Sequence, residues 1–171
     1  LLTLEDFRNR SLVDVGTGAG FPGLPLRLLE PTIRLTLLDS LGKRVQFLKA
    51  VCQDLGLPDV TCVHGRAEEF AAEHREAFDL VTSRAVANLQ TLSELCLPLT
   101  RVGGRFLAMK AVDSDGELAS AQRAIALLGG RVAAVRDYAI PGTEVCHRLI
   151  SIEKFKKTPE KYPRTFAKIK K

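Results

Sequence analysis

A chain of 171 residues, 46% hydrophobic and 26% charged, suits one domain with one sizeable core. No apolar run approaches the length of a bilayer span, and there is no basic-then-apolar N-terminal segment of the secretory kind. The net charge of +5 is unevenly placed: residues 154–171 hold eight basic side chains against one acid, Glu160, so that stretch carries +7 and the rest −2.

In chain order, Ser11–Val15 reads as a buried strand. Gly23–Leu29 follows as a helix, with Pro22 and Pro25 near its start, where missing amide donors matter little. Arg34–Asp39 is a second strand. Residues 42–55 form a helix with Val45, Leu48, Val51, Cys52 and Leu55 on one face, stopped by Gly56. Residues 60–64, 79–83 and 105–110 are the next three strands, the last entered through a Val102-Gly103-Gly104 turn. Helices are expected at 67–72, 89–97 and 113–128, the last ended by Gly129-Gly130. Residues 131–140 and 147–155 are two further strands with Pro141-Gly142 turning between them.

Five strand–helix alternations predict a parallel sheet covered on both faces. The short final turn makes the last two strands antiparallel to each other. The expected fold is therefore α/β: a mostly parallel, doubly wound Rossmann-like sheet closed by an antiparallel C-terminal hairpin, the architecture of S-adenosylmethionine-dependent methyltransferases. Residues 1–155 form this catalytic domain, and 156–171, with Pro159 and Pro163, an extended basic tail. The chain begins at Leu1 and not at methionine, so upstream sequence is expected to be missing or removed. Such a tail suits a polyanion such as RNA, because each neutralised phosphate releases counterions; it reads equally well as a solvated terminus.

Four cysteines (Cys52, Cys62, Cys96, Cys146) lie in apolar stretches without a C-x-x-C pair. They read as small buried hydrophobes in a reducing, cytoplasmic compartment, not as a disulfide frame or zinc site. The histidines are isolated: His64 reads as a satisfied structural residue and His74 as a surface one. No metal constellation is expected, and nothing demands more than a monomer.

The informative segment is Leu12-Val13-Asp14-Val15-Gly16-Thr17-Gly18-Ala19-Gly20. Its glycines let backbone approach a ligand at the carboxyl end of the first strand. Asp39 ends strand two, where a carboxylate can accept from both ribose hydroxyls, and Glu68 falls where an adenine would lie. A dinucleotide site competes: Gly18-Ala19-Gly20-Phe21-Pro22-Gly23 satisfies G-x-G-x-x-G, with Asp39 about twenty residues on. Against it, Pro22 removes an amide that a pyrophosphate needs, Asp14 places negative charge beside the loop, better suited to a sulfonium ligand, and the sheet closes with a hairpin. From the loop alone a methyl donor, a dinucleotide and a purely structural turn all stay open.

Beyond the loop, the chain resembles the bacterial 16S ribosomal RNA guanine-N7 methyltransferases, the glucose-inhibited division protein B family. The resemblance rests on Asp14-Val15-Gly16-Thr17-Gly18-Ala19-Gly20-Phe21-Pro22-Gly23, Leu38-Asp39-Ser40-Leu41-Gly42-Lys43-Arg44, Gly65-Arg66-Ala67-Glu68-Glu69, Thr82-Ser83-Arg84-Ala85-Val86, and Thr158-Pro159 with Lys161-Tyr162-Pro163-Arg164. It is this resemblance that decides against the dinucleotide. It implies S-adenosylmethionine as cofactor, 16S rRNA or the 30S subunit as partner, and guanine 527 of that RNA as target. It also implies site residues: Gly16, Gly18 and Phe21 on the methionine side of the cofactor, Asp39, Ser40 and Leu41 at the ribose and adenosine, Ala67 and Glu68 at the adenine. Arg84 is implied near the cofactor carboxylate and the transferred methyl. Family members carry a helical region before strand one, most of which is absent here. Where the family usually reads Arg-His in the last strand, this chain has His147-Arg148.

Methyl transfer from a sulfonium is an in-line displacement, so alignment of the reacting atoms is the main task. None of the cysteines has the Pro-Cys setting of a cytosine C5 enzyme. Ser83-Arg84-Ala85-Val86 stands where an exocyclic-amine enzyme shows Asp/Asn-Pro-Pro-aromatic. Guanine N7 offers a free lone pair at neutral pH and needs no general base. Arg84 and Lys110 are the catalytic candidates; Lys110 reads equally as a solvated strand end. Lys43, Arg44, Arg148, Lys161 and Arg164 are candidates for RNA phosphates, and Tyr162 and Phe166 for stacking on bases.

Overall fold

The computed structural model describes residues 1–84, 87–140 and 142–169. Ala85 and Val86 of the fourth motif, Pro141 of the expected turn, and Lys170 and Lys171 lie outside the described residues. The elements are β1 (Ser11–Val15), α1 (Gly23–Leu29), β2 (Arg34–Asp39), α2 (Gly42–Asp54), β3 (Thr61–His64), α3 (Ala67–Glu73), β4 (Phe78–Arg84), α4 (Leu89–Cys96), β5 (Thr100–Ala111), α5 (Asp115–Leu127), β6 (Gly130–Ala139), β7 (Cys146–Lys154) and α6 (Phe166–Ile169).

The strands form one seven-stranded sheet in the order β3-β2-β1-β4-β5-β7-β6. β1 to β5 pair in parallel, while β7 runs antiparallel to both β5 and β6. Alternate strand residues feed two cores. Leu12, Leu35, Leu37 and Leu107 pack with α1 and α2 on one face; Val13, Val15, Val81 and Phe106 pack with α3, α4 and α5 on the other. Chain order reverses at β1, so the loops after β1 and β4 leave to opposite faces and open a crevice between them.

Two expectations need correction. Val102-Gly103-Gly104 does not precede the fifth strand but lies inside it. Gly103 has φ +83° and Gly104 leaves no room for a side chain against the Asp79 carbonyl, where the register with β4 slips between Phe78 and Leu80. The glycines are a bulge that bends a longer strand.

The second correction concerns the C-terminus, which is not an extended tail. Lys154 is fully buried, its ammonium donating to the carbonyls of Leu97 (2.6 Å) and Thr100 (3.2 Å) and to Thr158 Oγ1 (2.7 Å). It also pairs with Glu76 at 3.1 Å. Burial lowers its pKa to about 8 against the opposing pull of Glu76. Arg75 donates to the carbonyls of Thr158, Pro159 and Tyr162, and Glu94 accepts from the Arg164 amide and guanidinium. Ile169 closes the segment in the core. The root of this strap passes Gly129 (φ +86°), where a Cβ would fall on the Lys156 carbonyl.

Smaller corrections follow the same logic of tertiary contact. Cys146 is exposed while Cys52 and Cys96 are buried. His74 stacks on Phe70 at 4.0 Å and is partly buried, so it is not a surface residue.

Candidate active site

The glycine loop is shaped from below by Asp14. This carboxylate is fully buried and accepts from Thr17 Oγ1 (2.7 Å), the Gly23 amide (3.0 Å) and Thr82 Oγ1 (3.1 Å), tying β1, the loop, α1 and β4 together. Burial raises its pKa although these hydrogen bonds oppose the rise. Asp14 is therefore a staple beneath the loop, not the charge facing a sulfonium that the sequence suggests. Gly23 is required here, because a Cβ would strike Leu37 and crowd the Asp14 carboxylate. Gly18 is favoured for another reason: its φ of +62° lies in the left-handed region, which L side chains rarely adopt.

Asp39 closes the loop from the side. Only 3% exposed, it accepts from the amides of Gly18 (2.9 Å) and Leu41 (2.9 Å), with Arg44 at 3.5 Å. It borders a cavity of about 190 Å³ together with Gly16, Ser40, Ala67, Glu68 and Phe166. Arg66 donates to Glu68 at 2.6 Å, and His64 meets the Ser40 carbonyl at 3.2 Å, consistent with its structural reading. Leu41 is exposed at the rim.

On the other side of the loop lies a second cavity, of about 550 Å³, bordered by Phe21, Arg84, Lys110, Glu117, Tyr138 and His147. The exposed Arg84 guanidinium sits 5.9 Å from the Phe21 ring centroid. Lys110 is not a solvated strand end: it pairs with Glu117 at 2.8 Å and donates to the Ala87 carbonyl at 3.0 Å. Glu117 also accepts from the Leu89 amide at 2.9 Å. Tyr138 and His147 face each other with ring centroids 5.9 Å apart.

Side chains alternate along β7, which decides the His147-Arg148 question. His147 reaches the second cavity, while Arg148 turns away, only 10% exposed at its side chain, to Asp137 (2.7 Å) and Asp115 (2.6 Å). Arg148 is enclosed by carboxylates of the fold, and Arg164, its side chain 40% exposed, is held by Glu94; the hydrogen bonds that they donate to Asp137 and Glu94 raise their pKa values. Lys43 and Lys161 are exposed, Lys161 lying 5.4 Å over the Tyr162 ring. Tyr162 and Phe166 are half-buried and pack against the core, Phe166 at the edge of the nucleoside-side cavity. Sequence reasoning missed Glu117 and Tyr138, which the fold alone brings to the site.

Comparison with known proteins agrees with this geometry. The family model for GidB, rRNA small subunit methyltransferase G, matches residues 1–146. The chain belongs to that family. The family relative from Alkaliphilus metalliredigens, named ribosomal RNA small subunit methyltransferase G, is 52% identical over 90% of this chain and 65% of its own length. One of the same name from Ligilactobacillus salivarius is 52% identical over 95% of this chain and 70% of its own. The chain thus spans about two thirds of the curated relatives' length. Among solved structures, TrmN from Thermus thermophilus superposes with TM-score 0.71 at 22% identity, covering 90% of this chain and 47% of that one. A precorrin-6y C5,15-methyltransferase from Geobacter metallireducens gives 0.67 at 16% identity, covering 90% and 83%. These two show the fold: the Rossmann-like sheet of S-adenosylmethionine-dependent methyltransferases. Among the described residues of this family member no helix is long and apolar enough to cross a membrane, and no group of three or more His, Cys, Asp or Glu could hold a metal ion.

Proposed function

We propose that this chain transfers a methyl group from S-adenosylmethionine to N7 of a guanine in 16S ribosomal RNA. The observation that carries the reading is the pair of cavities on either side of one glycine loop, one lined for a nucleoside and the other for a flat base. The donor supplies a methyl on a cationic sulfur, and the residues present fit it. Asp39 keeps acceptor capacity beyond its two backbone partners for the ribose hydroxyls, with Ser40 and Leu41 beside it. Ala67 and Glu68 flank the adenine. Gly16, Gly18 and Phe21 line the path of the amino-acid portion, and Arg84 pairs with its carboxylate at the mouth shared with the acceptor.

In the acceptor cavity, Phe21, Tyr138 and His147 offer ring surfaces. The adjacent Lys110 ammonium and Glu117 carboxylate present a donor beside an acceptor. Guanine shows O6, then N1–H and the N2 amino group, in the complementary order; adenine shows the reverse. N7 needs no proton removed, which suits a site where Lys110 is engaged in ion pairing and is no candidate base. Lys43, Arg44 and Lys161 hold phosphates, and the enzyme acts as a monomer in the cytoplasm on 16S rRNA or the 30S subunit.

The test is transfer of labelled methyl to 16S rRNA and to 30S subunits, followed by borohydride and aniline cleavage. Cleavage at guanine 527 is expected. Methyl incorporated without cleavage at any guanine rules out N7.

A further inference from the structure

The segment after β7 is held to the body by buried and half-buried charged groups. Arg75 grips three carbonyls between Thr158 and Tyr162, Glu76 accepts the Thr158 amide at 2.8 Å, and Glu94 takes the Arg164 guanidinium at 2.7 Å. These contacts carry the chain across α4 and deliver α6 to the nucleoside cavity. There Phe166 is the one aromatic side chain among the described residues lining the wall, which it shares with Asp39 and Ala67. The Arg66 guanidinium lies 4.5 Å from its ring centroid, fixing the ring from the α3 side.

A purine buried against aliphatic groups alone gains only area; an aromatic face adds stacking. We propose that the strapped C-terminal segment is part of the cofactor site, and that Phe166 is the aromatic wall on which the adenine ring rests. This rests on the cofactor reading above, and assigns Phe166 and the contacts that hold it to the methyl donor. Arg75, Glu94 and Arg164 are positioning residues that hold Phe166 in place.

The chain contains no tryptophan, so Phe166→Trp installs a single reporter at the wall. Titration of that variant with S-adenosylhomocysteine, and separately with adenosine, is expected to change its emission saturably. By calorimetry, Phe166→Ala is expected to bind both ligands about 10-fold more weakly, Phe166→Leu less severely, and Arg164→Ala several-fold more weakly through loss of the strap. Thermal midpoints without ligand separate these losses from unfolding. Unchanged affinity in Phe166→Ala, a silent tryptophan in a variant that binds by calorimetry, or weakening confined to S-adenosylhomocysteine with adenosine unaffected would overturn the assignment. Failure of the unsubstituted protein to bind either ligand instead brings down the cofactor reading, and this inference with it. Should Phe166→Ala not fold, the tryptophan titration decides.

Discussion

The two cavities flanking the glycine loop are built in different ways. The nucleoside side is mostly backbone and carboxylate: amides of Gly18 and Leu41 on Asp39, and residues 65–68 entering α3. The acceptor side is gathered from Phe21 of the loop, the ends of β4, β5, β6 and β7, and α5. Apart from Phe166, the first arises from short contiguous motifs, whose loop geometry is dictated locally by glycine φ and one acid per strand end. The second exists only once the hairpin has closed the sheet. A donor common to many enzymes is thus met by a local, repeatable device, while the acceptor is met by residues that tertiary structure assembles.

Several substitutions set this contrast at risk. The largest effect is expected from Asp14→Ala, which strands two hydroxyls and an amide beneath the loop: about 3 kcal/mol lost in denaturant unfolding. A loss under about 1 kcal/mol would show that the loop is not held from below. Asp39→Ala should weaken S-adenosylhomocysteine binding roughly 30-fold by calorimetry, in line with loss of a charged acceptor. Glu117→Gln should lower kcat/KM for RNA methylation about 10-fold while leaving S-adenosylhomocysteine affinity within a factor of about two. Equal damage to both would mean that the two cavities are not separable. The smallest expected effect is the pH dependence carried by Lys154. Its folded pKa of about 8 lies below the usual 10.5, so between those values the unfolded chain binds more protons. Stability from this group therefore rises with pH across that window, and Lys154→Met should flatten the rise in a series of melts.

The same contrast explains what was legible in the sequence. β1, α1 and β2 have the expected bounds because strand periodicity, proline position and glycine stops act within a few residues. Asp39, Ala67 and Glu68 fall at the cavity for the same reason. Glu117 and Tyr138 carried no local mark: an acid in the first turn of a helix and a tyrosine in an edge strand are ordinary on their own. The C-terminal segment misled because Lys154 and Arg164 look solvated when counted as charge. Their partners, Glu76 and Glu94, lie seventy or more residues upstream in a region with no sign of a site. Counting charge along a chain cannot tell a cation offered to RNA from one already neutralised by the fold.

Gly129 draws these threads to one position. It borders neither cavity, yet any side chain there would displace the Lys156 carbonyl and shift the strap where it leaves the sheet. In a screen for lost methylation, a substitution at Gly129 would score beside those in the glycine loop, and raising the donor concentration would restore the signal.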